Sequence, residues 1–173
     1  MRQHRLVFAF IAGALLLTMD SGAQPLSPPG SAEFVLNGKK MTVKYSRPSM
    51  RGRKIMGGLV PWNQMWRTGA NDATSLETAA DLDLGGVTVP KGSYTLYTLP
   101  SETRWTLIVN KQTGQWGTEY HQDQDLARIG LSKRTLATSV EQFTISLDKT
   151  ADGGVMMLTW ETTELSVPFK EKK

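Results

Sequence analysis

The chain has 173 residues, 20 Lys and Arg against 16 Asp and Glu, and no cysteine. That length holds one ordinary domain beside any targeting segment. The missing cysteines exclude disulfides, thiol nucleophiles, Cys-ligated zinc and iron–sulfur clusters, and a formal net charge of +4 is too small to argue for nucleic acid as a partner.

The N-terminus reads as an export signal. Arg2 and Arg5 precede Leu6–Met19, 14 residues without a charge. This run is shorter than the roughly 20 residues a membrane-crossing helix needs, and Ser21-Gly22-Ala23 supplies the small residues of a cleavage site before Gln24. No cysteine follows, so a lipoprotein anchor is excluded. The pattern predicts a chain exported to the periplasm or beyond, with residues 1–23 removed and no membrane span left. The remaining Gln24–Lys173 carries 18 Lys and Arg against 15 Asp and Glu. It is long enough to bury roughly 68–70% of its unfolded surface without a metal or disulfide staple.

Residues 24–31 hold three prolines and two serines and read as a disordered lead-in. Short strands follow. Phe34-Val35-Leu36 and the alternating Met41, Val43 and Tyr45 flank Asn37-Gly38, the strongest short hairpin signal because both turn positions need positive φ. Leu82 and Leu84, Val87–Val89, Tyr94–Leu99, Trp105–Val109, the alternating Phe143, Ile145 and Leu147, Val155–Trp160, and Leu165, Val167 and Phe169 continue the period of two. Val60–Met65 and Gln122–Arg128 are the best helical candidates, and both are short. Eight or nine strands with Gly-rich turns predict an all-β chain, an antiparallel β-sandwich of jelly-roll type with one long irregular loop and little helix. The domain would run over residues 32–169, and Lys170–Lys173 would be a frayed tail.

Ser46–Thr74 breaks the alternation. It carries Arg47, Arg51, Arg53, Lys54 and Arg67 against Asp72 alone, so the positive charge of the exported chain is concentrated here. It also holds Trp62 and Trp66 among prolines and glycines. A loop of this length in a compact domain is functional or disordered, and its tryptophans argue for order. Guanidinium groups fork onto carboxylate, phosphate or sulfate, and an indole can stack on a sugar or base. Packing is the competing account: the tryptophans would plug one end of the sandwich while the arginines pair internally.

The runs Met56-Gly57-Gly58-Leu59-Val60-Pro61-Trp62 and Trp66-Arg67-Thr68-Gly69-Ala70-Asn71-Asp72-Ala73-Thr74 resemble the signature of an uncharacterised secreted bacterial family known as domain of unknown function 2911. Ser46-Arg47-Pro48, Gly52-Arg53, Gly92–Leu96 with Pro100, Trp105-Thr106, Asn110-Lys111, Trp116-Gly117 and the Asp125-to-Arg128 spacing also match. Trp62 stands where that pattern carries a smaller aromatic. The resemblance spans roughly Ala32 to Phe169. It implies an exported, β-rich domain and no particular activity.

Other chemistries have weak carriers. His121 is the only histidine after the leader, and no Gly-x-Ser-x-Gly elbow accompanies it. His121, Asp123 and Asp125 would share one face if extended, but one histidine with two acids is a thin metal site. No calcium loop is present, and Gly52-Arg53-Lys54 lacks the spacing of a phosphate-cradling loop. No cofactor and no metal are expected. The leading expectation is an envelope binding module for a small anionic molecule or glycan, held by Arg47, Arg53, Trp66, Arg67, Asn71 and Asp72. A structural or protein-interaction domain comes second. Third is a hydrolase-like enzyme using Asp72 with Arg67, or His121 with Asp123.

Overall fold

The computed structural model describes residues 27–173; the expected export signal and the start of the expected lead-in lie outside the described residues. Nine strands follow in order: β1 (Pro29–Leu36), β2 (Lys39–Ser46), β3 (Thr74–Thr78), β4 (Leu82–Leu84), β5 (Val87–Val89), β6 (Gly92–Pro100), β7 (Trp105–Asn110), β8 (Asp125–Thr150) and β9 (Gly153–Glu171). They form one sheet in the order β1-β2-β3-β6-β7-β8-β9-β4-β5, and every pairing is antiparallel.

β8 makes this sheet into two layers. Its first residues, Asp125–Leu131, pair with β7, and Ser132–Thr150 pair with β9. The sheet folds over so that β1 and β2 face the far ends of β8 and β9. Tyr45 Oη on β2 accepts a hydrogen bond from Ile145 N at 2.8 Å, and Phe34 on β1 meets Phe169 on β9 edge-on at 5.1 Å. The expected antiparallel sandwich is thus built from one continuous sheet, which does not close into a barrel.

Alternation explains the layers. Met41, Val43 and Tyr45 of β2 are buried while Lys40 and Lys44 stay exposed, and Phe143 and Ile145 of β8 turn inward. Asn37 and Gly38 form the expected tight turn with φ of 49° and 81°. In β9 the buried positions are Met156, Leu158 and Trp160, then Thr163, Leu165, Val167 and Phe169. The phase slips by one at Glu161, a non-glycine residue with φ of 55°, opposite register shifts in β8 on either side of Val140. The two short runs expected as separate strands are therefore one bent strand.

Four expectations are corrected. β1 begins at Pro29, inside the expected lead-in, and β9 runs to Glu171, with Lys172 N bonded to Asp81 O at 2.8 Å, so most of the tail is held. Val60–Met65 forms turns instead of a helix, because Val60 bridges to Met56. Gln122–Arg128 forms one 3-10 turn over Gln122–Gln124 and then enters β8, since Ala127, Ile129 and Leu131 alternate into the core.

Gly154 shows how tightly the layers close: a Cβ there would lie 2.3 Å from the ring of buried Phe169. Gly154→Ala should destabilise the protein by about 1–3 kcal/mol, the usual range for overpacking a filled site. Gly130→Ala, where a Cβ meets nothing within 4 Å, should leave stability nearly unchanged. Urea unfolding of the two variants checks the contrast.

Candidate functional site

The segment between β2 and β3 has no ladder of its own, so its backbone is satisfied piecemeal. Residues 54–60 wind into a tight lobe through Gly58 N–Ile55 O, Leu59 N–Lys54 O and Val60 N–Ile55 O bonds of 2.9–3.1 Å, burying Ile55 and Val60 completely. Glu161, at the kink of β9, accepts the N–H groups of Ile55 and Met56 at 3.5 and 3.3 Å. The lobe therefore docks where the sheet bends.

The Trp66-to-Thr74 run is pinned to β6. Trp66 and Thr98 exchange both backbone hydrogen bonds, at 2.8 and 2.9 Å. Thr68, wholly buried at φ of 55°, donates to Thr98 Oγ1 at 3.3 Å, and Thr74 Oγ1 donates to Thr68 O at 2.8 Å. The Trp66 ring stacks on Trp160 at 5.8 Å and meets Phe143 edge-on at 5.0 Å. Trp66 as a whole is half-buried.

A third piece comes from the loop between β7 and β8. Gly117 N donates to Asn71 O at 3.1 Å, and Asp72 forms an isolated bridge with Trp116. A Cβ on Gly117 would lie 2.6 Å from both Arg67 Cδ and Asn71 O, so only glycine lets the Arg67 stem lie flat there. A polar clamp fixes this loop. Asp125 takes a hydrogen bond from Tyr120 at 2.8 Å and an ion pair from Arg128 at 2.8 Å, and Arg128 also donates to Tyr120 Oη at 2.7 Å. Asn110 Nδ2 reaches both Asp125 Oδ1 and His121 O at 2.9 Å. Burial, and then the bond to Asp125, push the Tyr120 phenol up to about 12.

Together these pieces enclose a cleft of about 470 Å³. Arg51, Arg53 and Arg67 line it beside Trp66 and Asn71, with Leu59, Pro61, Met65 and Trp160 as its apolar part. No acidic side chain lines it. Arg53 folds back onto its own loop, donating to Met50 O at 3.0 Å and Ser49 O at 2.8 Å. Arg67 is half-buried, and its guanidinium has no hydrogen bond or ion pair among the described residues.

Of the six residues expected at the site, Arg53, Trp66, Arg67 and Asn71 converge here. Arg47 does not: it donates to Phe143 O at 3.3 Å and Thr144 Oγ1 at 3.0 Å, joining β2 to β8. Asp72 lines a neighbouring groove of about 510 Å³ with Lys44, Ser46 and Ser75. His121 and Asp123 are exposed at the 3-10 turn, not on a strand, and no group of three metal-ligating side chains occurs among the described residues. Trp62 is used in packing, edge-on to Trp105 at 6.2 Å. Trp160, Leu59 and Gly117 were not foreseen as site residues. The Trp116-Gly117 match to the family pattern was the one hint of the last.

Fold and site define an antiparallel β-sandwich with a basic, aromatic-lined cleft, roofed by an irregular loop. The chain belongs to the family described as "Protein of unknown function (DUF2911)", whose model matches residues 27–169. No curated protein and no solved structure matches it.

The Tyr120 clamp has a pH signature. A phenol with a raised folded pKa stabilises fully below the unfolded value near 10 and loses that contribution as pH rises towards 12. Tyr120→Phe should cost about 1 kcal/mol at pH 7 through lost hydrogen bonds. It should also lose less stability than wild type between pH 9 and pH 11.5. Urea unfolding at the two pH values measures this, and an equal decline in both proteins would refute the role of Tyr120.

Proposed function

We propose that this protein is an exported binding module of the bacterial cell envelope that takes a small anionic ligand into the cleft beneath Ser46–Thr74. The observation that carries the reading is Arg67. Its stem lies on Gly117 and the residue lines a cleft without acids, while its guanidinium has no partner among the described residues. A half-buried guanidinium in that setting is a fork for a carboxylate, phosphate or sulfate.

The packing account explains other parts of the loop. Arg47 and Trp62 are spent on internal contacts. It predicts, however, an internal Arg67 satisfied by backbone carbonyls, and Arg67 has no such bonds among the described residues. The hydrolase reading needs Asp72 and Arg67, or His121 and Asp123, in one concavity. Asp72 and Arg67 line different depressions, and His121 and Asp123 line neither of these two.

The test is a thermal-shift and calorimetric screen of phosphate, sulfate and organic acids against wild type and Arg67→Ala. A ligand at 100 times its Kd stabilises by about 2.7 kcal/mol, a Tm rise of several degrees at this size. Wild type should shift and Arg67→Ala should not, while the variant stays folded, its own Tm lowered only by the lost packing of the stem on Gly117. Equal shifts in both, or none with any anion, would overturn the reading. Export is tested separately by expressing the full chain in a bacterium with a cell envelope. The processed protein should begin at Gln24, and a chain retained uncleaved in the cytoplasm would refute export.

A further inference from the structure

We infer that the cleft selects an organic anion with one acidic group and a flat apolar body, such as an aryl carboxylate, over inorganic anions and neutral sugars. This rests on the reading just given and names the class of ligand. Three features of the lining carry it.

The first is the supply of charge. Arg53 is committed to Met50 O and Ser49 O, whereas Arg67 is not committed to any group among the described residues. The planar fork of Arg67 matches one carboxylate or one ester phosphate. A densely charged polyanion would need more open cationic groups than the lining shows.

The second is the apolar wall. Trp66 is held by both backbone bonds to Thr98 and by rings behind and beside it, so it presents a fixed flat surface. Leu59, at the same cleft, is 45% exposed, and Pro48, Pro61 and Met65 join it. Leaving such a surface to water is unfavourable. Covering it is favourable in proportion to the apolar area removed from water, and a bare inorganic ion covers almost none.

The third is the shortage of acceptors. Each sugar hydroxyl brings a donor as well as an acceptor, and no carboxylate lines the cleft to take several such donors at once. The remaining polar side chains are Ser27, Asn71 and Thr118, so the Asn71 amide oxygen is the one side-chain amide acceptor in the lining. A volume near 470 Å³ lies in the range of small-molecule sites.

The experiment is a calorimetric comparison on wild-type protein, which needs no variant to fold. The probes are 2-naphthoate, its uncharged amide 2-naphthamide, acetate, inorganic phosphate and maltose. The expected result is that 2-naphthoate binds at least about tenfold more tightly than any other probe, and that Arg67→Ala brings its affinity down to that of 2-naphthamide. Acetate or phosphate binding as tightly as 2-naphthoate would overturn this inference and leave the anion reading standing. Maltose binding more tightly than 2-naphthoate would overturn the inference, and the anion reading too if Arg67→Ala left that binding unchanged. Equal affinity for 2-naphthoate and 2-naphthamide, or no binding of any probe, would overturn both. Leu59→Ser gives a second reading: it should weaken 2-naphthoate and leave phosphate unaffected, and an unchanged affinity for 2-naphthoate would remove the apolar wall from the argument.

Discussion

The exchange of two backbone hydrogen bonds between Trp66 and Thr98 is the constraint on which the cleft depends. The chain between β2 and β3 lacks a partner strand, and a backbone left unpaired near the core is costly. That antiparallel pair, backed by the buried hydroxyls of Thr68, Thr74 and Thr98, gives the middle of an irregular segment the fixity of a strand, while the bridges Ser49–Gln142 and Asp72–Trp116 hold it on either side. The residues that line the cleft beside it take their position from this pair. Trp66 is seated against Trp160 and Phe143, and the next residue, Arg67, must leave the core towards Gly117. Moving Trp66 would therefore move the cation and the aromatic wall together.

The loop's cations divide by what their heads can reach. Arg47 lies where β8 offers a carbonyl and a hydroxyl, and it acts as a tie between layers. Arg53 finds two carbonyls of its own turn. Arg67 has a glycine beneath its stem and a cleft in front of its head. Its stem packs against Gly117 and the residue as a whole is half-buried, a common arrangement for a long cationic side chain. Residue type is the same in all three cases; only the surroundings assign the task.

Much of this was legible in the sequence, and what was not has identifiable causes. The Asn37-Gly38 turn, the alternating faces of β2 and the end of β8, and the break at Ser46–Thr74 could be read directly because one face of each strand is apolar. β3 could not, because its inward residues Thr74 and Thr78 are buried hydroxyls flanking only one apolar residue, Leu76. The start of β8 was obscured because the acidic and polar run before it also suits a helical turn, and one 3-10 turn does form there. β9 looked like two strands because its inward phase changes at Glu161. Within the site, four residues close in sequence were found together. Trp160 and Gly117 lie far along the chain, and only the folded sheet brings them to Arg67.

The sharing of β8 between the two layers has a consequence for how the molecule can be divided. Its 26 residues hydrogen-bond to β7 at one end and to β9 at the other. No single break in the chain yields two pieces that each keep a complete set of neighbours. A fragment ending before β8 leaves the edge of β7 bare, and one beginning after it leaves β9 without its partner. Split-protein reassembly would have to place the cut outside β8, in the turn at Ala151-Asp152 or the β3–β4 connection, and permuted chains would need the same respect for this strand.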